Sequence, residues 1–486
     1  MSVSLHSPIS VFLLTRNPLT FKSFLLGVPF NKRTKLKNRL PYVGLCLTMR
    51  ANQLIASLSG IRGILNVDLT LEDVAHFADN FARTVESNEV LIARDTRSTG
   101  PAISRAVAAA VMSRGVKVTD YGVISTPALF RESRVSGMPA VMVTASHNEP
   151  EFNGLKFILE GKGITKQIFD AVTGPDTAQR EGSGAGTIRR ALKPTYVDDL
   201  VQRFGTGSCE GVRVAVDLGG GAAISHAAKL LGILGCEVCS VNDAAGVFGR
   251  RVDPVADELT VLRRLVRERG CDIGLGFDCD GDRLVIVDSA GRKRNGDFML
   301  TFAISELLEE TRETRVVVSL DTTQAIDDIV GRAGGRVFRS KVGEANVVGV
   351  MDETRARLGG EGSSGGLIDG EFNYCRDSML AAIVIIRALR RKGHRAYESV
   401  PVYHQERVAV SVSKPKAQKA FRSLAVRYDD ADMTDGIKIR LSRRSWVLMR
   451  ASGTEDLVRV SAEAETAREA LRNAKAFAAK LVELSR

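Results

Sequence analysis

A chain of 486 residues has room for about three or four domains at roughly 150 residues each. With 44 % hydrophobic and 26 % charged residues it can bury several cores, which excludes a largely disordered protein. The net charge of +11 is unevenly placed: residues 1–50 carry eight Lys or Arg and no acid, leaving 60 basic against 57 acidic residues beyond them, a near-neutral body that argues against a nucleic-acid partner.

Taken in order, residues 1–50 form a basic N-terminal extension that reads as an organelle transit peptide or as a start taken too early, with Met49 opening the globular sequence. A cytoplasmic location is expected, with organelle import if the extension is real. Domain I is expected over 51–183, where EVLIARD, ISRAVAAAVMSRG, KVTDYG and PAVMVTASH read as strand, helix, strand, strand, closing in a Gly/Ser-rich linker at Gln179–Thr187. Domain II, 184–292, runs through the strand VRVAVDLG, a helix AAISHAAKLLGILG, the strand CEVCSVN, a second helix and the strands DIGLGFD and RLVIVDSAGR. Domain III, 293–405, repeats that order from RVVVSLD to a helix at Ser378. Domain IV, 406–486, alternates at period two in VAVSVSK, GIKIRLSRRSWVLMR and LVRVSAEAE before a closing helix. The fold class is therefore α/β, with three similar domains of mixed, mostly parallel sheets and a C-terminal α+β domain.

The longest apolar helical run, MLAAIVII from Met379, has eight residues where a membrane span needs about 20, so no membrane partner is expected. Seven scattered cysteines imply free thiols in a reducing compartment, and Cys236 and Cys239 read as buried strand thiols.

Four loops carry chemistry. In VMVTASHNEPEFNGLKF an apolar strand runs into a polar loop with Ser146, His147 and, further on, Lys156; alone it could be a capped turn. In DCDGDR, Asp278, Asp280 and Asp282 stand at i, i+2, i+4 between two apolar strands, able to converge on one hard cation. An EF-hand is rejected, because its sixth and twelfth positions would be Arg283 and Ser289. The glycine-rich LGGEGSSGGLIDG places Glu361 and Ser363 where they could bond hydroxyls, although a glycine loop without a ligand fits it equally. In WVLMRASGTEDLVRV, Arg450, Ser452, Gly453 and Thr454 combine guanidinium, hydroxyls and free amides, the mix that holds a phosphate or makes a tight turn.

Together, and in this order, TASHNEPEFNGLKF, DCDGDR, GGEGSSGG and RASGTE resemble the four active-site loops of the α-D-phosphohexomutases, archaeal type. SGIRG at Ser59, RDTRSTG at Arg94, KVGE at Lys341 and DGIK at Asp435 extend the resemblance from about Ile55 to the C-terminus. It implies four domains around a central active-site cleft, and an intramolecular phosphotransferase of the isomerase class. Ser146 would be the phosphorylated nucleophile and a ligand of Mg²⁺ with Asp278, Asp280 and Asp282. Lys156, Arg283 and His147 would serve proton transfer and phosphate polarisation. Glu361, Ser363, Arg450, Ser452, Gly453, Thr454, Lys341 and Arg62 would bind substrate, with Arg94 supporting phosphates. The implied reaction interconverts hexose 6-phosphate and hexose 1-phosphate through a bound hexose 1,6-bisphosphate, which is also the activator, and feeds nucleotide-sugar synthesis. The sugar expected is glucosamine or mannose, with glucose a third candidate, and the protein a monomer or homodimer. Three departures bear on sugar choice: Cys279 stands where the family usually has Gly, GEGSSGG lacks a histidine that many bacterial members carry, and SLSGIRG replaces GTDGIRG or GTSGIRG. A metal-dependent phosphatase and a non-catalytic phosphosugar-binding protein are the rival classes, the latter weakened because nucleophile and all three aspartates are present.

Overall fold

The computed structural model describes residues 54–175, 185–191, 193–452 and 457–485. The extension at 1–50, most of the Gln179–Thr187 linker, and Gly453 and Thr454 lie outside the described residues.

Three sheets share one strand order. In the first, Lys117–Val123 lies beside Glu89–Arg94, then Ala140–Val143, then Phe152–Leu159. In the second the order is Glu237–Val241, Arg213–Asp217, Ile273–Phe277, Leu284–Asp288; in the third it is Arg336–Ser340, Arg315–Ser319, Leu358–Glu361, Gly366–Asp369. The first three strands of each set run parallel and the fourth antiparallel. The parallel strands are apolar on both faces because helices cover both sides, and Val141, Leu275 and Val317 have no exposed surface. The first sheet adds Gly60–Ile64 and Ile55–Ser57 at one edge and Ile188–Arg190 at the other, so the chain stays with that sheet beyond the expected boundary at 183. This order puts the turn between the third and fourth strands at the same sheet edge every time, and those turns are the Ser146, Asp278–Asp282 and Glu361–Ser363 loops.

Local sequence sets the helix ends. Thr70 and Asp73 form a capping box for Leu71–Val85, and Asn295 and Asp377 accept from the first turns of Gly296–Thr311 and Ser378–Lys392. The apolar run MLAAIVII lies in the last of these, buried on nearly every side in a core shared by the three α/β sheets. Among the described residues no helix is long and apolar enough to cross a membrane. The single helix expected from Ala222 is instead a 3₁₀ turn, Ala222–Ser225, followed by a helix Ala227–Ile233. Its start is drawn out of line because the Ala222 amide donates to the Cys279 carbonyl at 2.7 Å, tying it to the aspartate loop. Cys236 is buried as expected, whereas Cys239 is only half-buried, with its sulfur 3.7 Å from that of Cys271.

The fourth sheet is antiparallel, in the order His404–Val410, Val458–Ala464, Ser445–Ala451, Ile437–Ser442, and packs on Ala467–Leu484. Its first strand stops at Val410, earlier than VAVSVSK implied, and Lys414–Ala425 begins soon after with Pro415 in its first turn. Trp446, the chain's one tryptophan, is buried with Leu448 against Leu320 of the third domain. Lys438 lies 4.1 Å from its ring centre and donates to the Leu320 carbonyl at 2.6 Å, while Glu463 accepts from Trp446 Nε1 and from the Gln324 amide, both at 2.8 Å.

Asp297, in the first turn of Gly296–Thr311, accepts from the Thr323 amide at 2.8 Å, and burial pushes its carboxyl up to about 7. An unfolded aspartate titrates near 3.9, so the folded state binds the extra proton between about pH 4 and 7, and this stabilisation is lost as pH rises through 7. Asp297→Asn is expected to gain more stability over the native chain at pH 8 than at pH 5 in urea unfolding; an equal difference at both would rule the carboxyl out as the cause.

Candidate active site

Ser146 follows the buried strand Ala140–Val143 and is itself fully buried, with φ +52°. A left-handed backbone costs a non-glycine residue on the order of 1 kcal/mol, so surrounding bonds must hold it. The Ser146 amide donates to Thr144 Oγ1 at 2.8 Å, and Ser146 Oγ donates to Asp278 Oδ2 at 3.2 Å, across from the first domain to the second.

The aspartate loop turns sharply between two fully buried strands. Gly281, at φ +70°, allows that turn and leaves Asp278, Asp280 and Asp282 each unexposed, with one ligand oxygen apiece lying within 4.8 Å of the others. Asp278 Oδ1 accepts from the Asp282 and Arg283 amides at 3.1 Å. Asp280 Oδ2 accepts from Thr126 Oγ1 at 2.6 Å and from Lys156 Nζ at 2.7 Å. Asp282 Oδ2 accepts from Lys156 Nζ at 2.9 Å and from Arg376 Nη2 at 2.7 Å. Asp280 Oδ1 and Asp282 Oδ1 are buried without a hydrogen bond. Two orphaned carboxylate oxygens beside a third carboxylate are a hard donor set that suits a divalent cation such as Mg²⁺.

Electrostatics agrees. Burial, then Asp282 and Asp280, push the Asp278 carboxyl well above the usual range. Burial also acts against charge on Asp282, but Arg376, Lys156 and Arg283 outweigh it and hold that carboxyl well below the usual range. Burial would strip the proton from Lys156, but Asp280 and Asp282 reverse that and raise it above an ordinary lysine, so it is an ammonium. His147 is pushed down to about 2 by burial and by Arg283 and Arg62, and is neutral; its Nδ1 lies 2.8 Å from Arg283 Nη2.

Above this floor opens a cavity of about 430 Å³ lined by residues of all four domains. Of the residues singled out in the sequence, Arg62, His147, Arg283, Glu361, Ser363 and Arg450 line it. Glu361 Oε1 accepts from the Gly343 amide at 2.7 Å and Oε2 pairs with Arg376 at 3.3 Å, so the glycine-rich loop is fixed to the KVGE turn. Arg62 Nη1 donates to Asn148 Oδ1 at 2.8 Å. Lys341 is exposed and outside the lining, where its neighbours Val342 and Gly343 stand instead. Arg94 also lies outside it and donates to the Asp95 carbonyl. Ser452 is buried and its amide donates to the Leu457 carbonyl at 2.8 Å.

The sequence reading missed Arg376, Arg407 and Arg459. Arg407 and Arg459 lie on neighbouring strands, and Arg450 stands directly across from Arg459. Like charges facing across strands repel; Asp435, 2.9 Å from Arg450 Nε, offsets part of that charge, and the remaining positive face suits an anion. The period-two pattern of LVRVSAEAE could have shown that Arg459 and Ser461 share a face; nothing local marks Arg376, which the fold carries to Asp282.

Fold and cavity together describe an enzyme-like cleft to which all four domains contribute, with a buried carboxylate triad in its floor and arginines in its wall. Residues 54–174, 194–291 and 295–405 match the phosphoglucomutase/phosphomannomutase alpha/beta/alpha domains I, II and III, and 408–480 match the C-terminal domain of the same family. The chain belongs to this family, the α-D-phosphohexomutases, and is an intramolecular phosphotransferase of the isomerase class. A probable phosphoglucosamine mutase of Methanopyrus kandleri is 32 % identical over 84 % of this chain and 93 % of its own length. A phosphoglucomutase/phosphomannomutase of Thermococcus kodakarensis is 30 % identical over 84 % and 94 %. The crystal structure of a phosphoglucomutase/phosphomannomutase family protein from Burkholderia thailandensis shares the fold with a TM-score of 0.76 at 24 % identity, covering 87 % of this chain and 98 % of that one.

If the orphaned oxygens are cation ligands, Asp280→Asn weakens Mg²⁺ binding by about tenfold or more in calorimetric titration. Unchanged affinity would show that the three carboxylates are held by Lys156 and Arg376 alone.

Proposed function

We propose that this phosphohexomutase interconverts hexose 6-phosphate and hexose 1-phosphate by way of phosphorylated Ser146 and a bound hexose 1,6-bisphosphate, with glucosamine or mannose as the sugar and glucose third. The observation that carries the reading is the 3.2 Å contact between Ser146 Oγ and Asp278 at a buried triad of carboxylates. The names of the curated relatives, phosphoglucosamine mutase and phosphoglucomutase/phosphomannomutase, support the choice of sugars. The product would supply nucleotide-sugar synthesis.

Phosphoryl transfer is mostly positioning and charge neutralisation. Bound by Asp278, Asp280, Asp282 and a phosphoseryl oxygen, Mg²⁺ would neutralise charge on the group in transit. Ser146 is the acceptor and donor of the phosphoryl group, and Arg283 beside His147 polarises it. Lys156, held protonated between Asp280 and Asp282, gives a proton to the sugar oxygen as the phosphoryl group leaves it and, in the neutral form that results, accepts the proton of the sugar hydroxyl that takes the group. Arg450, Arg407 and Arg459 hold the phosphate that is not reacting, a role assigned also to Ser452, Gly453 and Thr454, while Glu361 and Ser363 bond sugar hydroxyls in both orientations. Arg62 supports the reacting phosphate. Because Ser146 is fully buried, neighbouring side chains must shift for a sugar to reach it.

The test is a coupled turnover assay with Mg²⁺ and a trace of bisphosphate on glucosamine 6-phosphate, mannose 1-phosphate and glucose 1-phosphate, with Ser146→Ala alongside. One sugar is expected to dominate and the variant to lose at least about 1,000-fold in kcat, since the covalent route is closed. Retained activity in Ser146→Ala would remove Ser146 from the mechanism, and stoichiometric phosphate release would make the protein a phosphatase.

A further inference from the structure

Arg97 carries a guanidinium with no exposed surface, an expensive group to bury, and every one of its N–H groups is used. Nε donates to Asp95 Oδ2 at 3.0 Å. Nη1 donates to the carbonyls of Glu149 at 2.5 Å and Phe152 at 2.8 Å, and Nη2 to those of Ser146 and Asn148, both at 2.7 Å. Four carbonyls of one seven-residue loop converge on a single side chain. Asp95, also unexposed, neutralises it and reaches the same loop from the other side: Thr144 Oγ1 donates to Asp95 Oδ2 at 2.7 Å and accepts from the Ser146 amide at 2.8 Å. Ser146 is thus gripped at its amide and at its carbonyl, the two peptide groups flanking its left-handed φ of +52°.

The second domain repeats the device. Asp217, which ends the strand equivalent to the one preceding Asp95, pairs with Arg250 at 3.0 Å, and Arg250 Nη2 donates at 2.6 Å to the carbonyl of Phe277, the residue before Asp278. One buried Asp–Arg pair therefore sits under each of the two loops that meet at the Ser146–Asp278 contact. Neither Arg97 nor Asp95 lines the cavity.

We propose that Arg97, with Asp95 and Thr144, is the positioning group of the phosphoryl carrier: it holds the Ser146 loop in its strained conformation so that Oγ faces Asp278. The inference rests on the reading of Ser146 as the residue that carries the phosphoryl group. A side chain that sets the carrier without touching sugar or the three aspartates acts on the transfer step and leaves sugar binding and the Mg²⁺ affinity of the unphosphorylated protein alone, and a misplacement of about 1 Å is enough to slow transfer about 100-fold.

The experiment uses the full chain with glucose 1,6-bisphosphate labelled in both phosphates, comparing the native protein, Thr144→Val and Arg97→Lys. Four quantities are read: label on Ser146 by peptide mapping, the single-turnover rate of labelling, KM against kcat, and the Mg²⁺ affinity of the unphosphorylated protein by calorimetry. Thr144→Val keeps the shape of the side chain and leaves Arg97 in place, so it decides the matter if Arg97→Lys does not fold. Expected are a labelling rate about tenfold lower in Thr144→Val and about 100-fold lower in folded Arg97→Lys, with KM and Mg²⁺ affinity within about twofold of native. A folded variant that labels at the native rate, or a loss that appears in KM or Mg²⁺ affinity instead, overturns the proposal. If the native protein takes no label on Ser146, the reading of the carrier itself falls and takes this inference with it.

Discussion

Three carboxylates buried within 4.8 Å of one another repel, and the architecture answers that repulsion. Two unit charges 4 Å apart interact by about 4 kcal/mol at an effective dielectric of 20, so the triad is tolerable only where positive charge is brought to it. The chain brings Lys156 from the first domain, Arg376 from the third and Arg283 from the loop itself, each of them mostly buried. Thr126 of the first domain anchors Asp280 through both its amide and its hydroxyl, and Ser378 bonds the Gly281 carbonyl. The packing of three domains against one another is therefore inseparable from the charge balance of one loop.

Strand order explains why the reacting groups arrive together. A sheet of three parallel strands and an antiparallel fourth has a tight turn at the carboxyl edge of its third strand, where α/β proteins bind ligands. Using that turn three times places a hydroxyl, a carboxylate triad and a glycine-rich loop at corresponding positions facing a shared space. The chemistry differs between copies because the turn residues differ; the scaffold holding each turn is the same.

This is also why so much was legible in the sequence. Apolar runs interrupted by TASHN, DCDGD or GGEGSSGG read as buried strands broken by polar loops, and the repeated element order followed from periodicity. What stayed hidden depends on contacts across hundreds of residues. Arg376 meets Asp282 only through the third domain's packing, and Arg97 looked like one more charged residue in RDTRSTG until its five donors could be traced. Lys341 stands apart for the converse reason: the bonds of its motif run through Val342 and Gly343, whose amides donate to Asp435 and Glu361, while the lysine itself is exposed. The helix expected at Ala222 failed because a tertiary bond to Cys279 overrode local propensity.

The seam between the third and fourth domains closes on the chain's one indole ring, packed on Leu320 with an ammonium over its face. Because no second tryptophan contributes, the tryptophan emission of the whole protein, excited selectively, reports that seam alone. Any rotation of the fourth domain that lifts Trp446 from Leu320 or Lys438 from the ring changes its colour and intensity, so the molecule carries its own optical gauge of cleft opening.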